Sequence, residues 1–197
     1  MSPPLILAST SRWRAGLLQR LGLPFTQVDS EFDEEPYKAR GLAPHALVTE
    51  LAVGKARAVA DAHPGALVLG GDQVAVLGGR ILGKPGTAER ACAQLAALSG
   101  RTHELVTGTA LVDGRTGAVH TTVDVHRMRM RTLSEAQIRS YIARESPLDA
   151  CGSYYIEGLG IALFEELAGA DFTAIMGLPL THVVDLLARA GLDVLTS

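Results

Sequence analysis

The chain has 197 residues, of which 47% are hydrophobic and 20% are charged, and its formal net charge at pH 7 is −3. Such a length is enough for one sizeable core, and the composition is that of a globular protein rather than a disordered one. No apolar run approaches the roughly 20 residues that cross a bilayer, the N-terminus lacks the basic region of a secretory signal, and the charge gives no sign of a surface for nucleic-acid polymers, so we expect a cytoplasmic protein.

The first half of the chain predicts strands alternating with helices. A buried strand, LILA, precedes the helix RWRAGLLQRLG, and the strand FTQVDSEF precedes an acidic loop, DEEPY. Apolar residues at helical spacing predict a helix from Pro44 to His63. The stretch ALVLGGDQVAVLGGRIL then predicts a strand, a break at its glycines and a hairpin into a second strand.

The second half predicts long hairpins between helices. Thr87 is placed to cap the helix AERACAQLAALSG, and Ser134 to cap SEAQIRSYIARES. The turn DGRTG predicts a hairpin between THELVTGTALV and AVHTTVDVHRMRMR, and YYIEGLGIALFEEL predicts another strand pair around glycines. A last helix, GLPLTHVVDLLARAGL, should end at Gly191. This order predicts an α/β fold with a mixed sheet and a single domain over residues 1–197.

The two cysteines do not indicate a metal or redox motif. Cys92 and Cys151 lie far apart in the chain and fit neither CxxC nor zinc-ligand spacing. We expect both to be buried, reduced thiols.

The stretch LILASTSRWR, residues 5–14, predicts a phosphate site. Where a strand turns directly into a helix, the first N–H groups of the helix have no intrahelical partner and attract anions. Small hydroxyl residues let a phosphate approach the backbone, and Arg12 or Arg14 can add a bidentate fork. The alternative is that Thr10 or Ser11 only caps the helix while the arginines are solvated. The pattern is not a Walker A loop, because GxxxxGK[ST] is absent.

Two further segments complement that turn. In GGDQV, Asp72 is a candidate metal ligand or general base, with an ordinary turn aspartate as the alternative, and Lys84 of ILGKP is a candidate partner of phosphate. The acids of DEEP, residues 33–36, are hard oxygen ligands suited to Mg²⁺, although a solvated acidic loop has the same composition. Phosphate donors, cations and carboxylates without a nucleophilic triad favour metal-assisted attack of water on a phosphoanhydride.

Taken in order, seven segments resemble the Maf family of nucleoside triphosphate pyrophosphatases: ASTSRWR, FDEEP, LAVGKA, GGDQVAVLGGRILGKP, LSGRTHELVTG, CGSYYIEGLG and MGLPL. The resemblance runs from about Leu5 to Leu187. It implies an elongated mixed sheet flanked by helices, with two lobes and a central cleft, as in the inosine-triphosphate pyrophosphatases. It also implies hydrolysis of a nucleoside triphosphate to the monophosphate and pyrophosphate with Mg²⁺ or Mn²⁺, and a homodimer.

The resemblance also implies roles for individual residues. Asp72 matches the family's proton acceptor, and Glu34 matches its acidic residue, so both are candidate metal ligands. The residues implied in phosphate binding are Ser9, Arg14, Lys55 and Lys84. One departure is Arg12, where members commonly have proline, and it bears on the rigidity of the turn.

Three positions imply a substrate branch. The branch acting on dTTP and UTP typically has Arg-Arg in the first motif, Asp-Thr in the second and Gln in the later glycine-flanked motif. This chain instead has Trp13-Arg14, Asp72-Gln73 and Glu157, a combination that resembles the branch acting on 7-methyl-GTP.

Physical chemistry agrees with that implication. Methylation at N7 makes guanine cationic, and a cation on an indole face gains about 0.5–2 kcal/mol, so Trp13 is a candidate to stack on the base. The alternative is that Trp13 is a core residue of its helix. The Glu157 carboxylate can accept hydrogen bonds from guanine N1–H and its exocyclic amine. Gln73 can contact another base edge or position the Asp72 region. The alternatives are hydrolysis of dTTP or UTP, and a nucleotide-binding regulator of cell division that releases no pyrophosphate.

Overall fold

The computed structural model describes residues 3–196. Its strands are β1 (Leu5–Ala8), β2 (Phe25–Val28), β3 (Leu67–Leu77), β4 (Arg80–Leu82), β5 (Thr102–Asp113), β6 (Val119–Met130) and β7 (Phe164–Ala168). Its helices are α1 (Arg12–Gln19), α2 (Glu35–Lys38), α3 (Pro44–Ala60), α4 (Ala88–Leu98), α5 (Glu135–Glu145) and α6 (Leu180–Arg189). Short 3₁₀ turns cover Cys151–Ser153, Leu159–Leu163 and Phe172–Met176. Within the described residues, no helix is long and apolar enough to cross a membrane.

The strands of residues 3–196 form one mixed sheet in the order β2-β1-β3-β5-β6-β7, with β4 beside β3. Strand β1 runs parallel to both β2 and β3. The pairs β3–β4 and β6–β7 are antiparallel. The predicted α/β class, a mixed sheet flanked by helices, is therefore confirmed.

The chain packs as two compact units. The first contains the segment that ends at Asp72, Thr107–Asp124 and the segment that begins at Asp171. The second contains Gln73–Val106 and Val125–Ala170. A single domain over residues 1–197 stays a prediction, and residues 1, 2 and 197 of that range lie outside the described part of the chain.

The core of the first unit lies on both faces of its sheet, because side chains of a strand alternate between faces. Leu5 and Leu7 of β1 belong to a cluster of buried leucines that includes side chains from α1 and α6. Ile6 and Ala8 belong to a second cluster that includes side chains from α3. The apolar run LILA is therefore buried on both faces, as a central parallel strand requires.

The predicted caps are confirmed. The Ser11 hydroxyl accepts a hydrogen bond from the N–H of Arg14 at the start of α1, and Thr87 caps α4 in the same way. At the start of α5, Ser134 and Gln137 form a reciprocal capping box. These local signals set the helix starts because they satisfy N–H groups that have no partner within the helix.

Several local predictions are wrong. Strand β3 runs without a break through Gly70 and Gly71, so Asp72 lies inside a strand and not at a turn. Residues 154–163 form turns and a 3₁₀ segment, and only β7 of the predicted strand pair exists. Part of the acidic loop forms the one-turn helix α2. Cys92 and Cys151 are free thiols but are only partly buried.

Candidate functional site

The turn between β1 and α1 is a network of hydroxyl and amide groups. The Ser11 N–H donates to the Ser9 hydroxyl (3.2 Å), while the Ser11 hydroxyl accepts from the Arg14 N–H (3.4 Å). From β2, the Gln27 amide nitrogen donates to the carbonyl oxygens of Ser9 (2.8 Å) and Ser11 (3.3 Å). The capping alternative for Ser11 is therefore correct, and the same contacts fix the position of the Ser9 hydroxyl.

Arg14 is anchored rather than solvated. Its Nε donates to the carbonyl oxygen of Gly177 (2.9 Å), and its Nη1 donates to the Ser9 hydroxyl (3.4 Å). Gly177 has φ +96, and a Cβ there would lie 3.2 Å from Arg14 Nε, so glycine suits both the backbone and the space. Through Arg14, the structure thus connects Ser9 near the start of the chain to Gly177 near its end.

Helix α3 approaches strand β3 closely at Gly70. A Cβ on Gly70 would lie 2.3 Å from the carbonyl oxygen of Ala52 and 2.9 Å from the backbone nitrogen of Ala56, distances that no real side chain shows. A Cβ on Gly108 of β5 would similarly lie 2.5 Å from the carbonyl oxygen of Val48. Glycine therefore marks close backbone approach here and not a turn, and the approach brings the α3 side chains to the middle of β3.

That approach places the Lys55 ammonium between two carboxylates. Lys55 Nζ lies 2.7 Å from Glu34 Oε1 and 2.7 Å from Asp72 Oδ1. The Lys55 and Asp72 side chains are only 11% and 12% exposed, so this ion pair lies largely away from water. We call these three residues the acid–lysine cluster. The structure places these three side chains in contact, and the role of each residue stays a prediction.

Lys38 joins the cluster from its exposed side. Its Nζ lies 2.8 Å from Glu34 Oε2, at the i,i+4 spacing that the sequence FDEEPYK could have shown. Burial alone would raise the pKa of Glu34, but hydrogen bonds and charges from Lys38 and Lys55 outweigh it and lower that pKa to about 2. Glu34 is therefore an anion throughout the physiological pH range.

A ring packed on a glycine holds the acidic segment against α3. A Cβ on Gly54 would lie 2.2 Å from Cζ of Phe32, so the phenyl ring rests directly on the helix backbone. The ring also contacts Tyr37 with centroids 5.1 Å apart. Since Gly54 precedes Lys55 and Phe32 lies two residues before Glu34, this contact sets the register of the Glu34–Lys55 ion pair.

Trp13 is half-buried on α1, and Arg12 covers its ring. The guanidinium carbon of Arg12 lies 4.5 Å from the ring centroid, a cation–π contact. Trp13 is therefore not a fully buried core residue. Its ring is already in contact with a cation from the position where the resemblance expects proline.

The second unit holds the remaining predicted residues. Gln73 follows Asp72 on β3, and its side-chain oxygen lies 4.0 Å from Cys151 Sγ. Lys84 is exposed just after β4. Glu157 is half-buried in the turns that follow Cys151–Ser153. Their part in a shared site with Asp72 stays a prediction.

The acid–lysine cluster can supply part of a metal site. No group of three or more His, Cys, Asp or Glu side chains within residues 3–196 is arranged to hold an ion. Glu34 and Asp72, however, each place an oxygen 2.7 Å from the same nitrogen, so the two carboxylates face a common space. Mg²⁺ usually binds one or two carboxylates together with substrate phosphates and waters, and this donor set fits that pattern.

Three comparisons with known proteins complete the description. The family model described as Maf-like protein matches residues 4–190, a range that includes all the strands and helices listed above. A 7-methyl-GTP pyrophosphatase of Pseudomonas putida is 46% identical over 191 residues, which cover 97% of this chain and 98% of that protein. A 7-methyl-GTP pyrophosphatase of Nitrosococcus oceani is 49% identical over 193 residues, which cover 98% of this chain and 96% of that protein. A solved nucleoside-triphosphatase / dITP/XTP pyrophosphatase of Mycobacterium abscessus is 18% identical with a TM-score of 0.43, over 66% of this chain and 75% of its own.

Proposed function

This chain belongs to the Maf-like family, and we propose that it hydrolyses 7-methyl-GTP to 7-methyl-GMP and diphosphate, thereby removing a modified nucleotide. The observation that carries the proposal is the acid–lysine cluster, in which Lys55 contacts both Glu34 and Asp72 at 2.7 Å. The high similarity to proteins named 7-methyl-GTP pyrophosphatase over nearly the whole chain supports the choice of substrate.

The phosphates bind at the turn between β1 and α1. The Ser9 hydroxyl and the Arg14 guanidinium are already hydrogen-bonded to each other, so little side-chain entropy is lost when they meet an anion. Lys55 adds positive charge from α3, and Lys84 adds it from the segment after β4. Together these groups compensate the charge that a triphosphate brings into the site.

Asp72 acts as the base. Its carboxylate takes a proton from a water molecule as the water oxygen bonds to the α-phosphorus, and the bond from that phosphorus to the bridging oxygen breaks so that diphosphate leaves. The hydrogen bond from Lys55 to Asp72 Oδ1 fixes the orientation of the carboxylate. Asp72→Asn should therefore abolish turnover and leave the fold intact.

Glu34 and Asp72 would hold the divalent cation, Mg²⁺ or Mn²⁺. When bound, this ion supplies a positive charge that neutralises phosphate oxygens and lowers the barrier to attack by water. Glu34 suits this role because its lowered pKa keeps it ionised. Lys38 and Lys55 hold its carboxylate in one orientation from two sides.

Base selection comes from Trp13, Gln73 and Glu157. The Trp13 ring stacks on the cationic methylated base, and the Glu157 carboxylate accepts hydrogen bonds from its N1–H and exocyclic amine. Gln73 contacts a further base edge or positions the neighbouring Asp72. We also propose a cytoplasmic enzyme that forms a homodimer and binds neither a nucleic-acid polymer nor a membrane.

The deciding experiment measures pyrophosphate release from 7-methyl-GTP, GTP, dTTP and UTP with Mg²⁺ or Mn²⁺, and compares kcat/KM. A clear preference for 7-methyl-GTP is the expected result. A preference for dTTP or UTP would refute the role of Trp13 and Glu157 while leaving the chemistry in place. Binding without release from any of these nucleotides would identify a regulator and refute the enzyme.

A further inference from the structure

Helix α5 carries two residues, one turn apart, that bond the backbone on either side of Glu157. The Tyr141 hydroxyl oxygen accepts a hydrogen bond from the Tyr155 N–H (2.9 Å). The Glu145 carboxylate oxygen Oε1 accepts one from the Leu159 N–H (3.2 Å). Both bonds join the helix to the segment 155–159, whose middle residue is Glu157.

Two glycines make this contact close. A Cβ on Gly158 would lie 2.6 Å from Glu145 Oε2, so the carboxylate rests against the glycine backbone. A Cβ on Gly160 would lie 2.1 Å from the carbonyl oxygen of Tyr155 and 3.2 Å from the Tyr141 hydroxyl. The EGLG sequence is therefore shaped to fit the two α5 side chains, which accounts for its glycines without any ligand.

The environment of Tyr141 keeps its hydroxyl neutral. Burial raises the pKa of Tyr141, and the negative charges of Glu145 and Glu157 raise it further. The Glu157 carboxylate is thus close enough to Tyr141 for its charge to disfavour ionisation of the Tyr141 hydroxyl. The hydroxyl therefore accepts a hydrogen bond from the Tyr155 N–H and retains its own proton at neutral pH.

We infer that Tyr141 and Glu145 are positioning residues that set base selectivity by holding the segment of Glu157 in one conformation. This inference rests on the proposed function, in which Glu157 recognises the base. A hydrogen-bonding group discriminates between bases only when it is held rigidly, because a mobile carboxylate can adapt to the wrong partner. Since neither residue is assigned contact with the phosphates, they should affect binding of the base and not the chemical step.

The test compares Glu145→Ala with Glu145→Gln, which retains an acceptor oxygen for Leu159, and with Tyr141→Phe. Glu135→Ala is the matched control, because Glu135 lies on the same helix but its carboxylate pairs with the exposed Arg139. Loss of one partly buried hydrogen bond should raise KM for 7-methyl-GTP about tenfold in Glu145→Ala and Tyr141→Phe, while kcat changes by less than about twofold. Glu145→Gln and Glu135→Ala should keep KM near the wild-type value.

Hydrogen exchange at the Tyr155 and Leu159 amides gives a readout that needs no substrate. We expect exchange at Leu159 to accelerate in Glu145→Ala but not in Glu145→Gln or Glu135→Ala. The inference would be overturned if exchange at Leu159 were unchanged in Glu145→Ala, or if it accelerated equally in Glu145→Gln. It would also be overturned if the segment exchanged faster while KM stayed the same. If the wild type does not hydrolyse 7-methyl-GTP, the proposed function fails by itself. The same KM and exchange comparisons, made with the best triphosphate, then still decide whether these residues position the segment.

Discussion

Replacing Lys55 with methionine removes the ammonium that contacts both Glu34 and Asp72 while keeping a side chain of similar length. Asp72 then loses the ion pair that the structure gives it, although its side chain is only 12% exposed. Breaking a buried pair by removing one partner costs about 3–5 kcal/mol. Because Glu34 is 31% exposed and keeps its contact with Lys38, we expect the lower part of that range, about 3 kcal/mol.

Urea unfolding of Lys55→Met at neutral pH measures this loss directly. Lys38→Met is the matched control, because Lys38 pairs with the same Glu34 but is 45% exposed, and the expected cost of an exposed pair is under about 1 kcal/mol. A Lys55→Met protein within about 1 kcal/mol of the wild type, or a Lys38→Met protein destabilised as strongly, would refute the account of the buried pair.

The pH dependence gives a second check with a definite sign. The pKa of Glu34 falls from its ordinary value of 4.5 to about 2 in the folded protein, so its ion pairs stabilise the fold fully above pH 4.5. That stability is lost as the pH falls from 4.5 towards 2. Lys55→Met lacks one of the ion pairs of Glu34, so it has less of this stability to lose. The difference in unfolding free energy between variant and wild type should therefore become smaller as the pH falls across this range. A difference that widens on acidification would contradict the prediction.

Three further predictions concern separate features. Gly54→Ala should displace the Phe32 ring, which would lie 2.2 Å from the new Cβ, so kcat/KM should fall about tenfold and the free energy of unfolding by about 1–3 kcal/mol. A kcat/KM equal to that of the wild type would contradict the role given to this contact. Burial lowers the pKa of His103 from 6.5 to about 4, so the unfolded chain takes up a proton before the folded protein does as the pH falls. The free energy of unfolding should therefore decrease between pH 6.5 and pH 4. An NMR titration that places this pKa above 6.5 would contradict the burial argument. Arg12→Ala removes a guanidinium 4.5 Å from the Trp13 ring centroid that would compete with the cationic base for the ring. KM for 7-methyl-GTP should therefore fall roughly two- to fivefold, while KM for GTP changes less. An equal change in KM for both nucleotides would exclude this competition.

Local signals in the sequence predicted the elements that local chemistry determines. Ser11, Thr87 and Ser134 mark helix starts because each satisfies N–H groups a few residues away. The run LILA predicts a buried strand because both of its faces are apolar. None of these predictions depends on distant parts of the chain, and all of them are confirmed.

The errors arise where distant contacts decide. Gly70 was predicted to break a strand, but it serves the close approach of Ala52 and Ala56 from α3, which no pattern near residue 70 shows. The segment around Gly158 was predicted as a strand pair, but it bonds to Tyr141 and Glu145 of α5 and not to another strand. In both places the glycine allows another element to approach the backbone closely, and the sequence alone does not identify that element.

The same distinction explains what was missed in the site. Asp72 and the acids around Glu34 were candidates by residue type, whereas Lys55 entered through the family resemblance, which implied phosphate binding for the lysine and metal binding for the two acids. The structure shows the lysine shared between both acids. Lys38 was not predicted at all, although its i,i+4 spacing from Glu34 was a usable signal.

The charges of this cluster predict a role for Lys55 beyond stability. Each of the two partly buried carboxylates, Glu34 and Asp72, faces the Lys55 ammonium, so their negative charges are compensated within the fold. A divalent cation bound by these carboxylates would add positive charge, which complements a polyphosphate. A neutral residue in place of Lys55 reduces the positive charge of the cluster even where both carboxylates remain to hold the ion. Lys55 is therefore expected to strengthen triphosphate binding through the charge of the whole cluster, even while its ammonium contacts carboxylates rather than phosphate.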